Sequence, residues 1–430
     1  MTMAKKNEFV IKGGTVVNRD GLAVADVRVK DGVIAEVGES LDATDMLDAG
    51  GCFVSSGFVD LHTHLREPGR EESETIETGS RAAAIGGYTA VVAMPNTDPA
   101  QDSVMVVEFV RSQGEKAALV EVIPSGCITV GRQGTALAPF ESLAGAGVRL
   151  FTDDGNGVQD PLLMRRALEY ARDLGIVLAQ HCEVSRLTEG AVMHEGSCCS
   201  HMGVPGWPSI AEELMLHRDI ELVRLTGTPM HFLHLSTAGS VELVRRAKSD
   251  GLPVTAEVTP HHLSLTDELL TGYDPLYKVN PPLRTMDDIA ALKAGIADGT
   301  IDAVATDHAP HAPHTKEMPL DQAPPGMLGL ETALGVVNTA VDVSPQRIAE
   351  LFSWNPARIA GVDQRHGRPV AVGEPANIAV WNLNEVWSVS RDNLASKSRN
   401  TPFHGMELRG RNKHTVFNGN IVVREGKAQR

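Results

Sequence analysis

Eight short apolar or β-branched runs recur along the middle of this 430-residue chain, at 53–64, 88–94, 118–123, 148–154, 176–181, 230–236, 254–259 and 301–307. Amphipathic stretches of helix length, such as Pro161 to Leu174, fill the intervals. Strand alternating with helix is the pattern of a parallel sheet, because a parallel neighbour is reached only by a crossover long enough to hold a helix. Eight such units over roughly 250 residues fit an α/β fold closed as a (β/α)8 TIM barrel better than an open doubly wound sheet. No GxGxxG or P-loop motif opens any of the helices, which counts against a nucleotide-binding sheet.

The two ends of the chain have a different texture. Residues 9–37 alternate apolar and polar positions around Gly13-Gly14, Asp20-Gly21 and Asp31-Gly32, which reads as short antiparallel strands. Residues 375–381 and 414–426, with a turn at Asn418-Gly419-Asn420, repeat that texture. The expected division is a small β-sandwich domain formed by residues 1–55 and 366–430, enclosing a catalytic barrel of residues 56–365.

A barrel enzyme builds its site at the C-terminal ends of its strands, and there this sequence concentrates its chemistry. The first run ends in His62 and His64, the second leads into Asn96, and the fourth ends in Asp153-Asp154. The fifth ends in His181, the sixth contains His234, and the eighth ends in Asp307-His308. His62 and His64 stand two apart on a strand, so both face the same side and can hold one ion. A His-x-His pair alone says little; the equivalent placing of His181, His234 and Asp307 makes a metal site the expectation. His62, His64, Asp154, His181, His234 and Asp307 are more groups than one catalytic zinc takes. Either two metals share a bridging carboxylate, which accounts for all six, or one metal is bound and the other histidines surround it. Histidine with carboxylate suits Zn2+, with Mn2+ or Co2+ able to replace it in vitro.

Composition excludes several alternatives. A formal net charge of −16 leaves no clustered Lys and Arg to neutralise a nucleic-acid backbone, so an anionic substrate would be attracted locally. The cysteines, Cys52, Cys127, Cys182, Cys198 and Cys199, are odd in number and include no CxxC pair, which suggests neither a disulfide framework nor a thiolate zinc site. Lys5 and Lys6 precede no apolar run of signal-peptide length, and no stretch of about 18 apolar residues occurs. The expectation is a soluble cytoplasmic protein with no membrane partner.

The motifs carry a resemblance. Gly57-Phe-Val-Asp-Leu-His-Thr-His-Leu-Arg-Glu-Pro-Gly69, Met94-Pro-Asn-Thr97, Phe151-Thr-Asp-Asp-Gly155, Lys278-Val-Asn-Pro-Pro-Leu-Arg284, Ala305-Thr-Asp-His-Ala-Pro-His311 and Gly326-Met-Leu-Gly-Leu-Glu-Thr332 together resemble the dihydroorotases of the amidohydrolase superfamily, in particular the longer bacterial class. The resemblance spans nearly the whole chain, and it implies two Zn2+ per chain. His62, His64 and Asp307 would hold one and His181 and His234 the other, with Asp154 between them and Asp153 turned away. Hydantoinases, dihydropyrimidinases and allantoinases place a carboxylated lysine at that bridge, and here the fourth run ends without a lysine.

The same resemblance implies that Arg66, Asn96 and His311 bind the substrate carboxylate and that Asn280, Pro325 and Gly326 contact the ring. A guanidinium suits a carboxylate because it offers two parallel hydrogen bonds; the alternative for Arg66 is an ion pair with Glu67 or Glu71. The implied reaction is the reversible conversion of L-dihydroorotate to N-carbamoyl-L-aspartate in pyrimidine biosynthesis, with Asp307 as the catalytic proton carrier. Residues 311–326, rich in Pro, Ala and His, read as a mobile loop over the site, with 315–322 departing most from the family pattern. A homodimer and an association with aspartate transcarbamoylase are further expectations. The competing readings are another cyclic amidohydrolase, such as a hydantoinase or allantoinase, and an inactive scaffold for the transcarbamoylase.

Overall fold

The computed structural model describes residues 8–430; residues 1–7, with Lys5, Lys6 and the start of the expected small β domain, lie outside the described residues. Eight parallel strands follow one another in chain order: Phe58–Thr63, Tyr88–Ala93, Glu121–Pro124, Leu150–Thr152, Val177–Gln180, Met230–Phe232, Val254–Val258 and Ala303–Val304. They form one sheet of three strands and one of five. Isolated parallel bridges connect the two sheets at both seams. At one, Gly126 pairs with Phe151, and Thr152 N donates to Gly126 O at 2.8 Å. At the other, Thr63 pairs with His308, and His64 N donates to His308 O at 2.9 Å. Buried Asp60 reinforces that second seam by accepting from Thr306 N at 2.8 Å and Thr306 Oγ1 at 2.6 Å.

Helices occupy the intervals because their apolar stripes need a sheet to cover them. In Pro161–Leu174, Met164, Ala167, Leu168 and Ala171 recur at helical spacing and are buried. Asp160 accepts from Leu162 N and Leu163 N at the start, ahead of a proline at the first turn. The largest apolar cluster joins strand residues such as Leu178, Phe232, Val258 and Val304 to helix residues such as Leu168, Val223, Val244 and Ile296.

The two ends of the chain meet in one nine-stranded sheet. Phe53–Ser56 pairs in parallel with Glu8–Asn18 and antiparallel with Ile378–Ser388, which continues to Glu407–Phe417. Phe9, Ile11, Val27, Val54, Ile378, Val380 and Val416 share one apolar core, so both ends bury the same face. The run at 53–64, which reads as a single strand, is two: it breaks at Gly57 between the nine-stranded sheet and the first parallel strand. A Cβ on Gly57 would lie 2.2 Å from Thr89 Cγ2, and Gly57 N donates to Asn377 O at 2.8 Å. Residues 389–404 leave the sheet between its two long C-terminal strands and run along the ends of the parallel strands.

The segment at 311–326, which its composition marks as a mobile loop, carries structure of its own. It contains a helical turn, Pro313–Lys316, and its side chains and backbone are fastened: Lys316 Nζ donates to Pro275 O at 3.0 Å, Lys278 Nζ to Leu320 O at 2.7 Å and Gly326 N to Lys278 O at 2.9 Å. Buried Lys278 and Lys316 stems tie it down in a way its lack of periodicity concealed.

Candidate metal centre and active site

The strand ends bring six of the expected residues into one buried cluster. Asp154 stands at its middle: its Oδ1 lies 3.3 Å from His62 Nε2, 3.4 Å from His181 Nδ1 and 3.5 Å from His234 Nε2, and its Oδ2 lies 3.5 Å from His64 Nε2. Asp307 Oδ1 is 3.0 Å from His64 Nε2 and 3.5 Å from His62 Nε2. Two ligand groups emerge, His62 with His64 and Asp154, and Asp154 with His181 and His234. Only Asp154 belongs to both. Asp153 points away, accepting from Ile128 N at 2.8 Å and Thr129 N at 3.0 Å, as the alternation of strand side chains requires.

The outer nitrogens of three histidines are already engaged, which sets their tautomers. His62 Nδ1 donates to Glu257 Oε1 at 3.0 Å, His64 Nδ1 to Asn96 Oδ1 at 2.9 Å and His181 Nε2 to Glu183 Oε2 at 3.0 Å. Each leaves a ring nitrogen lone pair facing the cluster, the arrangement that orients metal-ligating histidines. His62 Nε2 is buried without a hydrogen-bond partner. An orphaned, buried imidazole nitrogen amid carboxylates and other imidazoles fits a divalent cation, since burying such a group unpartnered is costly.

Electrostatics point the same way. Burial raises the Asp307 and Asp154 carboxyls, but the neighbouring histidines outweigh it and hold both below the usual carboxylate range. Burial also raises Glu257, and its bonds to His231 and His62 bring it down to about 2. Arg66, His234 and Asp307 have φ of 63°, 30° and 45°. Such left-handed backbone at non-glycine residues costs about 1–3 kcal/mol each and marks places where the surroundings impose a side-chain direction.

A cavity of about 230 Å3 opens over the cluster. Arg66, Asn96, Asn280, His311, Pro325 and Gly326 all line it, together with His64, Asp154, His181, His234 and Asp307 of the cluster. Arg66 forms no ion pair with Glu67 or Glu71; Glu67 Oε2 accepts from Ile76 N and Glu71 Oε1 from Gly69 N. Its Nε donates to Pro310 O at 3.1 Å, and burial lowers its pKa to about 10, so it remains a cation at neutral pH. His311 is neutral: burial, then Arg66 and Lys316, push it down to about 2, and its Nε2 donates to Pro325 O at 2.8 Å. Asn280 Nδ2 donates to Glu183 Oε2 at 3.3 Å, tying this part of the cavity wall to the partner of His181.

Some residues of the site are not evident from the strand ends alone. Glu257 sits inside the seventh strand rather than at its end, between His62 and His231; an acid within an otherwise apolar run was the available signal. Glu183 lies two residues past His181, and Arg70 lines the cavity near Arg66.

Residues 51–240 match the family model described as Dihydro-orotase-like. The chain is 51% identical over 412 residues to the dihydroorotase of Mycobacterium tuberculosis, covering 94% of this chain and 95% of that protein. It is 49% identical over 429 residues to the dihydroorotase of Streptomyces coelicolor, covering 98% and 99%. Among solved structures, the L-hydantoinase (dihydropyrimidinase) of Arthrobacter aurescens superposes with a TM-score of 0.87 at 24% identity, covering 98% of this chain and 97% of that one. A D-hydantoinase structure gives 0.84, also at 24% identity; at these identities the likeness speaks for the fold.

Proposed function

The chain belongs to the dihydroorotase family, and on that premise we propose how its residues divide the work of interconverting L-dihydroorotate and N-carbamoyl-L-aspartate. His62, His64 and Asp307 would hold one divalent cation and His181 and His234 a second, with Asp154 available to both. The observation that carries this assignment is that Asp154 alone belongs to both ligand groups. Nitrogen and carboxylate donors without thiolate favour zinc. Bound there, the cations would supply Lewis-acid polarisation of the ring carbonyl and a source of hydroxide at neutral pH.

The chain's own residues do the rest. Arg66 receives the substrate carboxylate with its guanidinium, helped by Asn96 and His311, and Asn280, Pro325 and Gly326 bound the ring. Asp307, ionised at neutral pH, takes the proton of the attacking water at a carboxylate oxygen and returns it to the departing amide nitrogen as the C–N bond breaks. In ring closure the same oxygen takes the proton from the carbamoyl nitrogen. His311, neutral and with its single ring N–H held by Pro325 O, borders the carboxylate without adding charge. The two seams linking the three-stranded and five-stranded sheets support one closed (β/α)8 barrel at residues 56–365. The apolar core shared by both chain ends supports a small sandwich-like domain built from the described part of residues 1–55 with 366–430.

Metal analysis of the purified protein beside a dihydroorotate assay tests the reading. Two metals per chain are expected, and Asp307→Asn should lower kcat by about 10²–10⁴-fold. An active protein free of divalent metal would overturn it.

A further inference from the structure

The C-terminal excursion at 389–404 does more than connect two strands. Its residues 395–400 bind to several loops at the mouth of the site. Ala395 N donates to Glu331 Oε1 at 2.9 Å, Lys397 N to Glu74 Oε1 at 2.9 Å and Ser398 Oγ to Ser73 O at 2.6 Å. Glu74 in turn faces His308, the residue after Asp307, at 3.4 Å.

The last contact in this series reaches the cavity wall. Asn400, buried at 3% exposure, uses every side-chain group it has: Nδ2 donates to Ala309 O at 2.9 Å and to Gly326 O at 3.1 Å, and Oδ1 accepts from His311 N at 3.1 Å. Its backbone O accepts from Leu328 N at 3.2 Å. One amide thus spans the outgoing arm of the loop, Ala309 to His311, and the returning arm at Gly326 and Leu328. Both arms line the cavity, and Asn400 itself does not.

The spacing between those arms is tight. A Cβ on Gly326 would lie 2.7 Å from His311 Nε2 and 2.8 Å from Ala309 Cβ, so a small shift of either arm closes or opens the place where the substrate must fit. A side-chain amide is suited to the task, since it can donate two bonds and accept on the other side at once. Aspartate would set a carboxylate against two carbonyl oxygens, and alanine would leave two carbonyls and an amide buried and unpaired.

We infer that Asn400 is a positioning residue for substrate binding: it holds His311 and Gly326 at the separation that admits the anionic ring, from a segment outside the parallel-strand region. This rests on the assignment of His311 and Gly326 to the substrate. It acts through the backbone of those residues and touches neither the metal ligands nor the reacting atoms.

The test compares Asn400→Ala, Asn400→Asp, His311→Ala and Ser398→Ala as full-length, metal-loaded proteins, with KM and kcat for L-dihydroorotate, melting temperature and metal content measured for each. Both Asn400 variants should raise KM by about 10–100-fold, as expected for losing one to two buried hydrogen bonds near a charged ligand, with kcat within about 3-fold and metal content unchanged. Ser398→Ala, on the same segment, should lower the melting temperature while leaving KM within about 2-fold. If His311→Ala raises KM and both Asn400 variants leave it unmoved, the positioning role is wrong and the substrate pocket stands. If His311→Ala leaves KM unmoved, the pocket assignment fails and the inference falls with it. Should Asn400→Ala not fold, Asn400→Asp decides between the outcomes, because it keeps the acceptor for His311 N; a fall in melting temperature and kcat with KM unmoved would make Asn400 merely structural.

Discussion

At the scale of single residues, specificity depends on groups that keep one charge state and one direction. Arg66 is buried, cationic and bonded through Nε to a backbone carbonyl, and it forms no ion pair among the described residues, which suits it to the carboxylate-binding role proposed above. Arg66→Met should cost about 1.5–3 kcal/mol of binding, read as roughly a 10–150-fold rise in KM for dihydroorotate with little change in metal content. Unchanged KM would remove Arg66 from the carboxylate site. Gly326 carries φ +140°, a conformation that L side chains rarely adopt. Gly326→Ala should therefore destabilise the fold by about 1–3 kcal/mol and weaken substrate binding together, seen by thermal melting beside steady-state kinetics. The six residues of the buried cluster were legible in the sequence because they recur at or just past the ends of several predicted strands, a placing that the His-x-His spacing alone would not have revealed. Glu257 and Asn400 were not: one is a strand-interior acid, and the other comes from a segment whose place at the cavity only long-range folding creates.

At the scale of elements, periodicity revealed the eight strands and overstated the length of most. The run at 301–307 yields only Ala303–Val304, and beyond it the backbone is left-handed at Asp307, which lines the cavity. Some elements are held by charge instead of apolar burial. At the start of the third strand, Glu121 accepts from Arg365 Nε at 2.7 Å and from His366 Nε2 at 2.7 Å. Burial raises the Glu121 carboxyl, and those partners more than reverse it, to about 2. A depressed carboxylate stabilises the fold above its unfolded value near 4.5 and loses that contribution as pH falls from about 5 toward 2. Glu121→Gln should lower stability by roughly 1 kcal/mol at pH 7, and the gap to the parent should narrow as pH falls below about 4.5 and close only near pH 2. A gap that persists unchanged down to pH 2 would assign the effect to packing.

At the scale of the whole molecule, the cluster of four histidines and two carboxylates draws on strands from both sheets, so its occupant should strengthen the entire fold. Chelation is expected to lower the melting temperature, and restoring Zn2+ at about 100 times its dissociation constant should return about 2.7 kcal/mol per site, measured by calorimetry. No change on chelation would mean that the cluster is held by protein contacts alone. No helix among the described residues is long and apolar enough to cross a membrane. The joining of the chain's two ends is visible in the sequence only as a pattern of similar textures; which strand lies beside which depends on contacts such as Trp381 Nε1 to Ser55 Oγ, made across 326 residues of sequence. That separation also has a cost in time. While a ribosome adds residues at about 5–20 per second, the edge of Phe53–Ser56 that will receive Ile378–Ser388 stays open for roughly 16–65 s, a β edge without its neighbour. That edge thus waits for its neighbour well after Asp307 has been added to the chain, and its length of only four residues limits the template it offers in the meantime.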